Sequence, residues 1–375
     1  MALQDIDHVA ASLDAPNMDP LQGTKYDFER DLVGYGRDSI DPKWPGGAKI
    51  AVAFVINYEE GAERSLLNGD GQTESVLWEQ AHVPERIGSR DPKIESDYDY
   101  GSRVGVWRLL NMFEKSNIRT TINAVGQALE KNPPVAKAFV AGGHEVASHG
   151  YRWIPYHNMS PEEEKLYMHR QMQSLKATTG SYPVGWFVGR CSPHSKALIH
   201  EVHEEIGAPL LYEADCFADD LPYWSDVPAE KDVPNPKGML MMPYSYDNND
   251  LKYQIAPGTF SSPNSFLEYL KSAFDVLYAE GVEGRPKMMS IGLHCRISGK
   301  PGRFAAIEAF VKYIQQRPDV WITTRREIAS HWRANFPYRT STEVETEVEA
   351  VDEEGGEGQP LHQQQRADSV VYARI

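Results

Sequence analysis

The sequence predicts an α/β protein whose parallel strands close, or nearly close, into a barrel. Residues 49–58 (KIAVAFVINY) form a continuous apolar run with β-branched side chains, which is typical of a strand covered on both faces. Strand and helix patterns then alternate some seven or eight times along the chain, as expected for a parallel sheet. The 375 residues, 41% of them hydrophobic, are enough to build a barrel of about 250 residues.

The elements follow one another in a regular order. After residues 49–58, the predicted strands are 119–125, a short run that ends at His149, 184–189, 209–216, 239–244, 288–294 and 320–323. The predicted helices are 102–116, 132–141, 160–178, 195–205, 263–281 and 302–316, with a closing helix after the last strand. Ser160 and Pro161 have the residue types of a helix N-cap and first helical position. The polar segment from 59 to about 100 is long for a connection, which favours a functional role.

Composition excludes several classes of protein. The net charge is −16 and no basic cluster is visible, so phosphate backbones would repel the chain and no nucleic-acid partner is expected. No stretch approaches the roughly 20 apolar residues of a membrane span, and the acidic N-terminus lacks the apolar core of a signal peptide. Three cysteines without metal-like spacing fit a reducing compartment. We therefore predict a cytoplasmic protein without a membrane partner.

The two ends of the chain differ from its middle. Residues 1–28 lack periodicity and are predicted to form an N-terminal arm, followed by the catalytic barrel over 29–335. Residues 336–375 are predicted to be a disordered tail, because 343–357 alone hold eight acidic residues and little apolar surface. The chain ends in Ala373-Arg374-Ile375, which loosely resembles the peroxisomal Ser-Lys-Leu address, so the peroxisome is a second predicted location.

Four polar clusters follow the carboxyl ends of predicted strands, where α/β barrels place their chemistry. They are Asn57-Tyr58-Glu59-Glu60, His149 with Trp153, Gly189-Arg190, and His294-Cys295-Arg296. A carboxylate and two histidines can activate water and protonate a leaving nitrogen, and an arginine can polarise a carbonyl. No Gly-x-Ser-x-Gly elbow and no cysteine with a partner base is visible, so hydrolysis without a covalent nucleophile is favoured.

Several longer stretches resemble a known family. They are 31–36 (DLVGYG), 57–61 (NYEEG), 100–103 (YGSR) with 107–110 (WRLL), 148–153 (SHGYRW), 219–224 (DDLPYW) and 290–296 (SIGLHCR). In them the chain resembles the NodB-homology polysaccharide deacetylases and, more closely, the allantoinases that descend from that superfamily. The resemblance covers about residues 29–335 and implies a distorted, incomplete (β/α) barrel of about seven parallel strands.

The chain departs from the deacetylase pattern at two places. The resemblance implies a pair of aspartates after the first strand, a general base and a metal ligand, where this chain has Asn57 and Glu59. It also implies two histidine ligands four residues apart, where this chain has His149 and Trp153. An amide nitrogen has no available lone pair, and a tetrahedral zinc site needs three protein ligands. The sequence therefore predicts no metal and no other cofactor, as in the allantoinase group.

The resemblance to allantoinases implies hydrolytic ring opening of a small cyclic ureide, allantoin, to allantoate. By position, Glu59 and His149 are the candidates for activating water or moving protons, and His294 is the candidate acid or electrostatic stabiliser. The predicted substrate contacts are Asn57, Trp153, Arg190, Asp220, Tyr223, Trp224 and Arg296. The relatives also suggest a homo-oligomer, such as a tetramer.

Two other functions are compatible with the sequence. The first is a metal-dependent N-deacetylase of chitin or related N-acetylglucosamine polymers, with a residual zinc site formed by Glu59, His149 and either His157 or Asp220. The second is a non-catalytic barrel that binds a ligand without turnover. Dialysis against a chelator, followed by assays on allantoin and on chitin oligomers, distinguishes the metal-dependent reaction from the others.

Overall fold

A curled, mostly parallel sheet carries the fold, as predicted. The computed structural model describes residues 19–37, 39–80, 83–254, 260–340 and 343. Its strands are β1 (Ile50–Tyr58), β2 (Thr121–Ala124), β3 (Glu145–Ser148), β4 (Gly185–Trp186), β5 (Tyr212–Glu213), β6 (Tyr223–Ser225), β7 (Met239–Met241), β8 (Lys287–His294) and β9 (Val320–Ile322). They lie in the order β6-β7-β5-β4-β3-β2-β1-β8, with β9 paired to the first residues of β1.

The barrel is incomplete. Within the described residues, all strand pairs are parallel except β6 with β7, and β8 is not paired with β6 across the remaining gap. A single bridge from Asn249 to Gly292 instead joins a loop to β8. The predicted distorted, incomplete barrel is therefore confirmed, with eight strands lying parallel to a neighbour.

Helices pack around the sheet, most of them on its outer face, whereas the last one packs with the apolar cluster inside the curled sheet. They are α1 (Pro92–Tyr100), α2 (Val106–Lys115), α3 (Gly126–Lys131), α4 (Pro133–Ala141), α5 (Pro161–Thr179), α6 (Ser195–Ile206), α7 (Pro263–Val282), α8 (Pro301–Ile314) and α9 (Arg325–Asn335). The prediction missed α1 and α3. Helix α1 lies inside the polar segment that was read as a loop, although Asp91 caps the Lys93 amide and Pro92 occupies its first turn. A π-helical turn, Gly101–Gly105, joins α1 to α2.

Alternation along β1 separates two apolar regions. Ala51, Ala53 and Val55 belong to the apolar cluster inside the curled sheet, whereas Val52 and Phe54 belong to the cluster that packs under the helices. Successive strand residues point to opposite faces, so inward positions recur every second residue. The same alternation continues to the carboxyl ends of β1, β3 and β8. Side chains there that keep the two-residue spacing from the inward positions point toward the interior.

Parts of both chain ends pack on the barrel. Tyr26 contacts the ring of His194 at 4.6 Å, and Trp224 donates a hydrogen bond to the Phe336 carbonyl at 2.8 Å. Residues 1–18 of the predicted arm (1–28), most of the acidic tail and the terminal Ala373-Arg374-Ile375 lie outside the described residues. Among the described helices, none is long and apolar enough to cross a membrane.

Candidate active site

The carboxyl ends of three strands bring the three predicted catalytic residues together. Glu59 follows β1, His149 follows β3, and His294 is the last residue of β8. Strand pairing places Asn57 beside His294, and alternation then turns Glu59 into the same space. All three side chains line one cavity of about 590 Å³.

Glu59 is the centre of this cluster. The carboxylate is 1% exposed; its Oε1 lies 3.0 Å from Nε2 of His149 and 3.4 Å from Nε2 of His294. Its Oε2 accepts a hydrogen bond from Nη2 of Arg296 at 2.7 Å. Burial by itself raises the pKa of Glu59, but the Arg296 guanidinium and the two imidazoles outweigh it and hold that pKa well below its usual range. The carboxylate is therefore ionised.

The hydrogen-bond partners of His149 determine where its protons lie. Nδ1 lies 2.6 Å from the carbonyl oxygen of Phe187, which can only accept, so Nδ1 carries a proton. Nε2 lies 3.0 Å from the ionised Glu59 carboxylate, which is also an acceptor. A proton therefore lies between Nε2 and this carboxylate as well. His149 and Glu59 consequently share one transferable proton at the cavity surface.

A buried carboxylate orients His294. Asp250 accepts from Nδ1 of His294 at 2.6 Å and from the His294 backbone amide at 2.8 Å. Burial by itself lowers the pKa of His294, but the negative charges of Glu59 and Asp250 raise it to about 9. At neutral pH this imidazole is a cation that can donate a proton or a hydrogen bond, and it cannot serve as a base.

Asn57 forms hydrogen bonds with neutral side chains rather than with the charged groups around Glu59. Its Oδ1 accepts from Asn123 Nδ2 at 3.0 Å, and its Nδ2 donates to the Tyr244 hydroxyl at 3.1 Å. Asn249 donates to the same hydroxyl at 3.0 Å. Asn57 still lines the cavity, as its predicted role as a substrate contact requires.

Trp153 and Arg190 form one wall of the cavity. The Arg190 guanidinium lies 3.6 Å from the centroid of the Trp153 ring and donates to Glu74 at 3.0 Å. Glu74 is 3% exposed and comes from the long polar segment after β1, which also contributes residues 75–77 and 83–85 to the cavity wall. The polar segment after β1 therefore lies at the cavity, where a functional role for it would require it to be.

Four of the predicted substrate contacts do not line this cavity. Arg296 is fully buried, and its guanidinium is held by Glu59, Glu60 and the Leu77 carbonyl. Tyr223 packs against Met239 and Met241, because β6 pairs with β7.

The other two residues of this group belong to the same stretch of sequence, 219–224. Trp224 is turned toward the Phe336 carbonyl and the ring of Tyr338. Asp220 is exposed and lines a separate surface cavity of about 360 Å³.

The sequence reasoning missed several residues of the site. Asp250, Glu74 and Gln254 belong to loops or short turns, and Tyr246 and Phe187 add aromatic surface to the cavity. The run Asp247-Asn248-Asn249-Asp250 was the available signal, because asparagine before aspartate is typical of a capped turn. Nothing in sequence spacing connects Asp250 with His294, which lies 44 residues away.

The donor set does not fit the zinc site of the deacetylases. Glu59 and His149 face each other, but Trp153 replaces the third ligand and its indole N–H can only donate. Oε2 of Glu59 already accepts from the Arg296 guanidinium, and Oε1 lies 3.0 Å from Nε2 of His149. His157 is exposed and Asp220 lies elsewhere, and no three His, Cys, Asp or Glu side chains in the described ranges are placed to hold a metal ion.

Comparisons with known proteins agree with this fold. The polysaccharide deacetylase family matches residues 88–207. A putative polysaccharide deacetylase of Schizosaccharomyces pombe is 43% identical over 83% of this chain and 98% of its own length. A crystal structure of a probable polysaccharide deacetylase from Pseudomonas aeruginosa PAO1 is 45% identical, with a TM-score of 0.77 over 83% of this chain and 99% of that one.

A solved structure of Puue allantoinase is equally similar. It is 46% identical, with a TM-score of 0.77 over 84% of this chain and 100% of that chain. This chain belongs to the polysaccharide deacetylase family of hydrolases.

Proposed function

We propose that this protein opens the ring of allantoin by hydrolysis of a cyclic amide C–N bond, using protein groups alone. The observation that carries the proposal is the contact between the ionised Glu59 carboxylate and two imidazoles that both carry protons. This arrangement supplies one proton acceptor and two proton donors around a single point of the cavity. The 46% identity to Puue allantoinase supports the choice of substrate.

Glu59 is the base of the proposed reaction. Of Glu59, His149 and His294, it is the only one that can take a proton, because both histidines are donors, and Oε2 retains a lone pair beyond the one that accepts from Arg296. It accepts a proton from water while the water oxygen attacks the ring carbonyl carbon. Its low pKa makes it a weak base, so stabilisation of the developing oxyanion must lower the barrier as well.

The two histidines complete the reaction. Cationic His294, held by Asp250, donates a hydrogen bond to the developing oxyanion. His149 gives its Nε2 proton to the leaving nitrogen as the C–N bond breaks. The proton that Glu59 took from water then passes to His149 across their 3.0 Å contact, which restores the starting state. Water thus adds across the bond, and the product acid releases its proton to solvent.

The cavity suits a small planar substrate. Its volume of about 590 Å³ is in the usual range for sites that enclose small molecules. Phe187 stacks on the His149 ring with an angle of 10° between their planes, and Trp153 lies under Arg190, so two walls are flat. Because the donor set does not fit zinc, no step of the reaction is assigned to a metal.

An assay of the purified protein tests the proposal. We expect conversion of allantoin to allantoate, measured by loss of substrate and appearance of the ring-opened acid, and no acetate release from chitin oligomers. Acetate release without activity on allantoin would favour the N-deacetylase, and binding of allantoin without any turnover would favour a ligand-binding barrel.

Location and assembly remain proposals of the same kind. We propose a homo-oligomer in the cytoplasm or, if Ala373-Arg374-Ile375 is read as an address, in the peroxisome. Light scattering of the purified protein and imaging of the full chain with and without its last three residues test these points.

A further inference from the structure

One polar side chain on the cavity wall has no partner. Gln254 lines the cavity that contains Glu59 and is 8% exposed. Neither its amide oxygen nor its amide nitrogen has a hydrogen-bond partner in the described part of the chain. By contrast, the amide of Asn57 and the guanidinium of Arg190 on the same wall are both engaged.

The local fold aims Gln254 at the cavity. A 3₁₀ turn, Asp250–Tyr253, immediately precedes it, and residues three apart lie on one face of such a turn. Asp250 and Tyr253 form one face: Asp250 binds His294, and Tyr253 packs on the ring of Phe266 at 5.3 Å. Leu251 and Gln254 form the next face, and both line the cavity.

An unpartnered amide is unfavourable in the folded protein. Burying a donor and an acceptor without partners costs desolvation free energy, which most folded proteins avoid. A methionine at this position would fill a similar volume without that cost. Each of the two unpartnered atoms of Gln254 has less than 1 Å² of accessible surface, so the side chain must turn about its own torsions into the cavity before a ligand that brings both a donor and an acceptor can satisfy them.

We propose that Gln254 binds the ureido branch of the substrate. This inference rests on the proposed function, because it assumes that the ring of allantoin reacts at Glu59, His149 and His294. A primary amide offers one acceptor and a donor pair in one plane, which matches the N–H and C=O groups of a neutral ureido branch in a two-point contact. Glu59, His149 and His294 then contact only the ring of the substrate.

A substitution that removes both polar atoms tests this assignment. Hydantoin has the same ring as allantoin without the ureido branch, so it is the matched ligand. For Gln254→Met we expect kcat/KM on allantoin to fall about ten- to a hundredfold, the range for losing a hydrogen-bonded pair. The inhibition constant of hydantoin should be unchanged, and the midpoint of thermal unfolding should rise because the unpartnered amide is gone.

A second glutamine serves as the control. Gln127 is partly buried and also has an unpartnered side-chain oxygen, but it does not line the cavity. Gln127→Met should leave both the allantoin and the hydantoin constants as in the wild type.

Three outcomes would overturn the inference, and they can be told apart. An unchanged kcat/KM of Gln254→Met on allantoin removes Gln254 from the substrate contacts. Equal weakening of allantoin and hydantoin, together with a lower unfolding midpoint, assigns Gln254 a structural role. If the wild type neither binds nor hydrolyses allantoin, the proposed function fails first and the ureido assignment fails with it.

Discussion

The two ends of the barrel interior each bury an arginine and a glutamate, but they use them differently. The Arg325 backbone amide donates to Thr121 at the amino end of β2, and its guanidinium reaches inward to the Pro243 and Met242 carbonyls and to Ser290. There Glu145 accepts from Thr121, Tyr212 and the Arg326 amide. At the carboxyl ends, by contrast, the Glu59–Arg296 pair adjoins a cavity, and its carboxylate also faces two imidazoles.

This difference separates a structural network from a reactive one. Each carboxylate oxygen of Glu145 is used by donors of the protein itself, and Glu145 does not line the active-site cavity. The carboxylate of Glu59 faces the cavity beside groups whose protons can move. A barrel that places its chemistry at the carboxyl ends of the strands and its stabilising contacts elsewhere follows the usual division of such folds. Burial of charge alone therefore does not identify an active site; the adjoining space and the mobile protons do.

The largest expected effect comes from removing the proposed base. Glu59→Gln keeps the shape of the side chain but cannot take a proton from water, so kcat on allantoin should fall about a thousandfold, within the range for general bases. The matched change at the other end is Glu145→Gln. It should leave kcat within about twofold and lower the free energy of unfolding by about 1–3 kcal/mol, because one donor loses its acceptor. Comparable loss of kcat in both variants would erase the distinction between the two ends.

The next largest effect concerns the shared proton. His149→Ala removes the donor to the leaving nitrogen, and turnover should fall at least about a hundredfold. His203 is a buried histidine away from the cavity that accepts a hydrogen bond from the Trp186 indole at 2.7 Å. His203→Ala should reduce stability with little change in kcat. Wild-type turnover in His149→Ala would exclude His149 from the mechanism.

A smaller effect should appear in the pH dependence. His294 must be cationic to stabilise the oxyanion, so kcat should decline as pH rises through about 9. Asp250→Asn removes one of the two negative charges that raise the pKa of His294. We expect the alkaline decline to move down by about one pH unit or more, the usual effect of one close opposite charge. A decline at the same pH in both proteins would show that another group controls it.

The same pKa shift has a consequence for stability. The pKa of His294 is about 9 in the folded protein and 6.5 for an unperturbed histidine. The folded state therefore binds the proton more tightly, and this contribution is complete below pH 6.5 and lost as pH rises through 9. Thermal unfolding midpoints measured from pH 6 to 10 should fall less in His294→Gln than in the wild type.

How much of the site the sequence could predict depends on the element that carries each residue. Glu59, His149 and His294 follow regular strands, so strand periodicity and the common edge of parallel strands placed them together. Arg296 also follows a strand but does not line the cavity, because the chain turns back after β8 and directs its guanidinium to Glu59 from behind. Sequence gives the end of a strand but not the path of the loop.

Loops and short turns account for the remaining differences. Tyr223 and Trp224 were predicted to wall the cavity, but their segment pairs antiparallel with β7 and turns them elsewhere. Asp250 and Gln254 were missed because a single 3₁₀ turn has too few residues to show periodicity. The three residues clustered at the strand ends could thus be predicted, whereas most of the other residues that line the cavity or contact this cluster could not.

The central claim is that positively charged side chains, rather than a metal ion, stabilise the negative charges in the cluster around Glu59. The most direct measurement is the kcat/KM on allantoin of protein dialysed against a strong chelator, with metal content determined on the same sample. The account predicts undiminished activity in metal-free protein and no gain on adding zinc. Activity that disappears with the metal and returns with stoichiometric zinc would contradict it.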